Sequence, residues 1–173
     1  NTFTTTQLDS ERTDSLSEWA LIHKTGLTPK DVEGKLVLDA GQGTGRFCEV
    51  LSQWGAKVIG VDLSYAVEAA YKNLEKYPNA IVAQADIGNL PFEQGTFDYI
   101  ISIGVLHHTP DTKRYFQGLV PLLKPGGSIS IWVYPTSRDY VNRAAWIPFT
   151  YKIPDKMFYE WCKWIVPLVH KHK

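Results

Sequence analysis

Short, mostly apolar runs recur along the chain, and most neighbouring runs are far enough apart to leave room for a helix between them. Runs of this length with few charges are typical of strands buried on both faces of a sheet. The pattern predicts five strands, at Lys35–Ala40, Lys57–Asp62, Ala80–Ala85, Phe97–Ile103 and Ser128–Tyr134.

The segments between these runs show helical spacing of their apolar residues. The predicted helices extend from Thr13 to about Lys24, from the turn after the first strand to about Trp54, from Ser64 to about Lys76, and from Asp111 to Leu123. The sequence KPGG at 124–127 predicts a turn before the fifth strand. Strands that alternate with helices indicate a mostly parallel sheet, and right-handed crossovers make it a doubly wound α/β fold.

The two ends of the chain differ from this core. We expect an N-terminal arm and cap helix at 1–33, a core at 34–134 and a third segment at 135–173, within a single domain. Residues 138–173 carry 7 basic and 3 acidic side chains, and ten of the 22 aromatic residues lie in 132–164. The segment predicts a helix at 155–164, whereas strands six and seven are not evident.

Composition places the chain among ordinary globular proteins. It has 173 residues, 44% hydrophobic and 21% charged, which excludes a disordered or collagen-like chain. The 18 basic and 18 acidic residues balance, so we expect no nucleic-acid partner. Two distant cysteines form no disulfide framework, no apolar run reaches the roughly 18 residues of a membrane span, and no signal peptide is evident. These features predict a cytoplasmic location, and the first residue, Asn1, favours a segment of a longer protein.

The most informative segment joins the first strand to the next helix and reads VLDAGQGTGR at 37–46. Glycines there allow a positive φ and let the backbone approach a ligand, at the place where α/β sheets bind ligands. A dinucleotide site would need Gly or Ala where the chain has Arg46, and would bring a pyrophosphate close to Asp39. A positively charged ligand suits Asp39 better. No P-loop pattern is present, and the structural alternative is a tight strand-to-helix turn.

Two further acids stand at the ends of the next two strands, Asp62 and Asp86. A carboxylate after the second strand accepts hydrogen bonds from ribose hydroxyls, and one after the third accepts from an adenine amino group. The alternatives are a helix-capping or first-turn acid for Asp62 and a solvated loop residue for Asp86. Three acids on one edge of the sheet favour an adenosine-containing ligand.

Five blocks in this order resemble the class I S-adenosylmethionine-dependent methyltransferases, in particular the small-molecule group. The blocks cover about residues 34–134 and read LDAGQGTGRF, VIGVDLS, QADIGNLPF, FDYIISIGVLHHTPD and LLKPGGSISIWVY. The resemblance implies a Rossmann-like fold, S-adenosylmethionine as cofactor and S-adenosylhomocysteine as product.

The resemblance also implies which residues bind the cofactor. The implied contacts are with the methionine portion (Gly41, Gly43, Gly45), its ammonium group (Asp39), the ribose (Asp62) and the adenine (Leu63, Asp86, Ile87), with a backbone contact from Ile103. Gln42 is included as a backbone contact, at a position where the family often has Cys.

The expected reaction needs few protein groups. Methyl transfer from a sulfonium requires mainly alignment in a dry pocket, which can be worth about 7–11 kcal/mol. A base is needed only if the acceptor keeps a proton. His107, with His108 beside it, follows the fourth strand and is the candidate catalytic base; the alternative is that these imidazoles cap or orient the next helix. We expect no metal site, because no carboxylate cluster completes a ligand set.

The expected function is therefore methyl transfer from S-adenosylmethionine to a small O or N acceptor that the sequence does not identify. Two alternatives stay open: a non-catalytic module that binds an adenosine cofactor, and an NAD-binding oxidoreductase, which Arg46 and Asp39 disfavour. Residues 138–173 are expected to form a substrate-facing lid, with a membrane-surface or protein-binding helix as the alternative. The oligomeric state stays open.

Overall fold

In the computed structural model the described residues are 15–134, together with Met157. The chain divides into two compact units, residues 1–134 and 135–173. All of the elements below belong to the first unit. The predicted arm at 1–12, most of the aromatic, basic segment at 135–173 and its helix at 155–164 lie outside the described residues.

Five strands form one sheet in the first unit. They are β1 (Leu36–Ala40), β2 (Lys57–Asp62), β3 (Ala80–Gln84), β4 (Phe97–Ile103) and β5 (Leu123–Trp132). Their order is β3-β2-β1-β4-β5, and every neighbouring pair is parallel. The prediction of a doubly wound α/β fold of Rossmann type is confirmed.

Helices connect these strands and cover both faces of the sheet. Within residues 15–134 they are α1 (Leu16–Thr25), α2 (Pro29–Val32), α3 (Arg46–Gln53), α4 (Ala66–Leu74) and α5 (Thr112–Leu119). Two 3-10 turns, Leu106–His108 and Val120–Leu122, lie before and after α5. None of the helices in this part of the chain is long and apolar enough to cross a membrane.

The short helix α2 was not expected, because four residues are too few to show an apolar period. Its start is held by Thr28, whose backbone N–H and hydroxyl both donate to a carboxylate oxygen of Asp31, at 2.8 and 2.6 Å. Pro29 occupies the first helical position, where a missing N–H costs nothing.

Two predicted boundaries before β5 are wrong. The helix expected to reach Leu123 ends at Leu119, and the chain tightens to a 3-10 turn at Pro121, which has no N–H for a helical hydrogen bond. The turn expected at 124–127 lies inside β5 as an irregularity, because Phe97 pairs with Leu123 while Tyr99 pairs with Ser128. The strand correspondingly starts earlier than predicted and ends at Trp132.

Two apolar layers hold the sheet, one on each face. Side chains alternate along β1, so that Val37 joins the layer under α1 and α3, and Leu38 joins the layer on the opposite face. Leu21 and Leu51 pack in the first layer, and Leu119 packs in the second. The strands are therefore packed on both faces, which leaves the ends of the strands and their loops as the places open to a ligand.

Candidate active site at the carboxyl ends of β1 and β4

A cavity of about 440 Å³ opens at the carboxyl ends of β1 and β4. The chain runs outward from β1 to β3 on one side and then crosses to β4 on the other. Loops therefore diverge at this point, which is where α/β sheets bind ligands. The volume lies in the ordinary range for small-molecule sites. A second hollow of about 420 Å³ lies beside Tyr71 and Val82, away from the glycine loop.

The glycine loop after β1 has a backbone that only glycine adopts without strain. Gly41, Gly43 and Gly45 all have positive φ, at 95°, 56° and 89°. A Cβ at Gly41 would lie 2.8 Å from the Cβ of Val105, whereas nothing lies within 4 Å of a Cβ at Gly43. The loop therefore packs tightly against the turn after β4, while its middle has open space around it.

Hydrogen bonds hold this loop against the end of β2. The N–H groups of Gly41 and Gln42 donate to the carbonyl of Val61, at 2.8 and 3.0 Å. The N–H of Gly43 donates to Oδ2 of Asp62 at 2.8 Å. The loop and the acid predicted to bind ribose are thus parts of one hydrogen-bonded unit.

Asp62 lines the cavity and retains hydrogen-bonding capacity. Its Oδ1 accepts from the N–H and the hydroxyl of Ser64, at 2.9 and 2.6 Å, and its Oδ2 accepts from Gly43. A carboxylate accepts about four hydrogen bonds, so at least one acceptor position is left, and rotation of the Ser64 hydroxyl would provide a second.

Asp39 lies beneath the loop and is not part of the cavity wall. It is only 1% exposed, and burial raises its pKa to about 7; Asp62 also raises it, while Cys48 and Arg46 act in the opposite direction. The contact of Asp39 with an ammonium group stays a prediction.

The predicted cofactor residues divide into two sets. Those that line the cavity are Gly41, Gln42, Gly43, Asp62 and Ile103. Those that lie outside its lining are Asp39, Gly45, Leu63, Asp86 and Ile87.

Three residues of the second set stand at the predicted adenine end. Leu63 is 68% exposed, Ile87 is buried in the core, and the exposed Asp86 accepts a hydrogen bond from the N–H of Gly88 at 2.8 Å. Adenine would therefore meet an open surface there, and the roles of these residues stay predictions.

The two histidines after β4 occupy different environments. His108 lines the cavity. His107 packs its ring against Tyr134, at 4.3 Å between centroids, and both of its ring nitrogens are buried with no hydrogen-bond partner in the described chain. Burial, with a smaller contribution from His108, lowers the pKa of His107. Helix α5 is capped by Asp111, which accepts from the N–H of Arg114 at 2.9 Å.

Several cavity residues were not predicted from the sequence. Lys24, at the end of α1, places its Nζ 3.8 Å above the ring of Trp132, which stacks edge-on with Tyr134. Burial lowers the pKa of Lys24, and the charge of Arg46 lowers it further. Because the carboxyl ends of parallel strands lie at the same edge of the sheet, the position of β5 places Trp132 and Tyr134 at this edge. Nothing local in the sequence predicts Lys24 there. Two cations and an aromatic wall thus face one end of the cavity.

Within residues 15–134 and Met157, no group of three or more His, Cys, Asp or Glu side chains is arranged to hold a metal ion. The chemistry available at this edge therefore comes from glycine backbone, one partly buried carboxylate, two cations, an imidazole and aromatic rings.

Comparison with known proteins identifies the class of domain. Residues 38–131, more than half of the chain, match the family model described as a methyltransferase domain. The chain belongs to this family.

Three relatives show how far the similarity extends. The ubiquinone biosynthesis O-methyltransferase of Coxiella burnetii is 37% identical over 100 residues, which cover 57% of this chain and 43% of that protein. The sterol 24-C-methyltransferase of Schizosaccharomyces pombe is 28% identical over 130 residues, 71% of this chain and 33% of that protein. The phosphoethanolamine N-methyltransferase 2 of Haemonchus contortus, solved with phosphomonomethylethanolamine and S-adenosylhomocysteine, aligns with a TM-score of 0.63 at 28% identity, over 76% of this chain and 32% of that one. The chain spans less than half the length of these relatives.

Proposed function

We propose that this chain is an S-adenosylmethionine-dependent methyltransferase domain that methylates an O or N atom of a small acceptor. The observation that carries the proposal is the joint position of the glycine loop and Asp62 on one cavity at the switch point between β1 and β4. Membership of the methyltransferase-domain family and the small-molecule names of its relatives support the same function.

The residues around the cavity fit the cofactor. Asp62 has acceptor capacity for ribose hydroxyls, and the open space at Gly43 admits a ligand against the backbone. Lys24 and Arg46 line the same cavity and suit a carboxylate, such as that of an amino-acid moiety. Bound there, the cofactor would supply a methyl group activated by its sulfonium charge.

The chain's own residues would orient the acceptor and keep water out. Trp132 and Tyr134 form an aromatic wall, and Val105, which also lines the cavity, packs against Gly41 of the glycine loop. His108 faces the cavity and is the first candidate to accept a proton from the acceptor, and His107 behind it is the second. An acceptor without an acidic proton would need neither imidazole.

The proposal is tested by calorimetry with S-adenosylmethionine, S-adenosylhomocysteine and NAD, followed by a methyl-release screen against small acceptors. We expect the first two compounds to bind and NAD not to bind. Binding of NAD alone would establish an oxidoreductase-type site instead. Binding of S-adenosylmethionine with no methyl release from any acceptor would favour the non-catalytic module.

We also propose a cytoplasmic location, supported by two cysteines that form no disulfide framework. Fractionation of cells that express the full protein would test it. The proposed role of residues 138–173 as a lid, or as a surface for a membrane or protein partner, concerns residues that, apart from Met157, lie outside those described.

A further inference from the structure

Three polar side chains pack together beneath the glycine loop. Asp39, Gln42 and Cys48 are 1%, 3% and 0% exposed. The Sγ of Cys48 lies 3.4 Å from both Oδ2 of Asp39 and Oε1 of Gln42. Gly60 on β2 makes room for them, because a Cβ there would lie 2.7 Å from that Sγ and would overlap Gln42. The cluster therefore occupies a space that the neighbouring strand leaves open.

The carboxyl of Asp39 has little to stabilise a negative charge. Within residues 15–134 its side chain accepts a hydrogen bond only from the Cys48 thiol, which is a weak donor. The charged groups that act on it are Arg46 at the start of α3 and Asp62 at the end of β2, which have opposite signs. Its neighbours in register on β2 and β4, Gly60 and Ile101, are uncharged. Burial accordingly raises the pKa of Asp39 to about 7.

The cluster is connected to the cavity through one side chain. Gln42 lines the cavity and contacts Cys48, which in turn contacts Asp39. The contacts from Gln42 to Cys48 and from Cys48 to Asp39 therefore link the cavity lining to the carboxyl. A unit charge about 8 Å from a carboxyl, at an effective dielectric constant of about 20, changes a proton equilibrium by about 30-fold. Asp62 and Arg46 line the cavity and already act on the Asp39 carboxyl, so charge in the cavity and the proton on Asp39 are within range of each other.

Building on the proposed function, we infer that Asp39, Cys48 and Gln42 form a proton-linked positioning cluster for the cofactor. In the free protein the buried Asp39 carboxyl holds a proton in much of the population up to about neutral pH, and binding of a ligand with net positive charge releases that proton to solvent. S-adenosylmethionine carries one net positive charge at neutral pH, and S-adenosylhomocysteine carries none. Preference for the methylated form over the demethylated product therefore increases as the pH rises.

The test is calorimetry of the free protein with each compound at about pH 6.5, in two buffers of different ionisation enthalpy. With a pKa of about 7 that falls by about 1.5 on binding, S-adenosylmethionine should release more than half a proton per site, and its affinity should rise about sixfold from pH 6 to pH 7.5. S-adenosylhomocysteine should release little, and its affinity should change less than twofold over the same range.

Variants separate this mechanism from a merely structural role. Asp39→Asn should abolish the proton release, whereas Glu93→Gln, at an exposed carboxylate, should leave it intact. Cys48→Ala removes the hydrogen bond that lowers the pKa of Asp39, so the pH dependence of affinity should move to higher pH. Titration of the Asp39 carboxyl carbon by NMR in the unliganded wild type gives the same answer without any variant.

Each outcome decides the matter. A carboxyl that titrates near its ordinary value in the free protein overturns the inference, whether or not any ligand binds. Binding of S-adenosylmethionine with no buffer dependence overturns the inference and leaves the proposed function standing. No binding of either compound at any pH overturns the proposed function, and the coupling with it.

Discussion

Replacement of Asp39 by Asn should abolish the pH dependence of stability that this residue imposes on the free protein. The carboxyl has a pKa of about 7 in the folded chain against an ordinary value of 3.8. A folded-state pKa that is raised means that the native state binds more protons than the unfolded state between these two values. The free energy of unfolding of the wild type therefore falls as the pH rises through this window.

The size of the effect follows from the shift. A difference of about 3 pKa units corresponds to about 4 kcal/mol, which is lost between about pH 4 and pH 8. Asn has nearly the same shape and no charge, so the variant lacks this loss. It should be more stable than the wild type above pH 8, and similar or slightly less stable below pH 4, where both side chains are neutral.

Urea unfolding at a series of pH values, with the slope against denaturant checked for constancy, measures this difference. Asp98→Asn is a control of opposite sign, because hydrogen bonds from Lys124 and from the N–H of Leu36 lower the pKa of Asp98. That variant should lose stability at neutral pH, and the loss should disappear as the pH falls through the Asp98 pKa. Parallel curves for wild type and Asp39→Asn from pH 4 to pH 8 would show that the pKa of Asp39 is not raised in the folded protein.

Three further predictions concern the cavity. Asp62→Ala should weaken S-adenosylmethionine binding by about 1.5–3 kcal/mol in calorimetry, because it removes hydrogen bonds to a charged acceptor. Gly41→Ala should lower both stability and cofactor affinity more than Gly126→Ala: both glycines have positive φ, but only at Gly41 does a Cβ collide with a neighbour. His108→Ala should reduce turnover about 100-fold or more on an acceptor that must lose a proton, with little change in cofactor affinity.

Each of these has an outcome that contradicts it. Unchanged affinity of the Asp62→Ala variant would mean that the ribose does not bind to this carboxylate. Equal losses of stability and cofactor affinity in the two glycine variants would mean that backbone strain, and not contact with the turn after β4, restricts the loop. A large fall in turnover for His107→Ala, with none for His108→Ala, would make the buried imidazole the base.

The buried strands illustrate what pattern alone can predict. β2 and β4 have the bounds expected from the sequence, Lys57–Asp62 and Phe97–Ile103, because a strand covered on both faces must be apolar throughout. The turn predicted at KPGG, residues 124–127, is wrong, because such a sequence can either turn or continue in a strand. Which of the two it does depends on the strand beside it. Here Lys124 donates to Asp98 at 2.8 Å, which ties the irregular stretch to β4 and keeps it within the strand.

The α/β class, the glycine loop after β1 and the acid at the end of β2 can be read from the amino-acid sequence, because these depend on local periodicity and on the short distance between a strand and its following turn. The tertiary structure alone decided which side chains share the cavity. Lys24 meets Trp132 because α1 packs against β5, and the Asp39 carboxyl is buried in contact with Cys48 of α3. Burial and opposing charges across strands are properties of packing, so neither the pKa of Asp39 nor the aromatic wall is encoded in any single stretch of the chain.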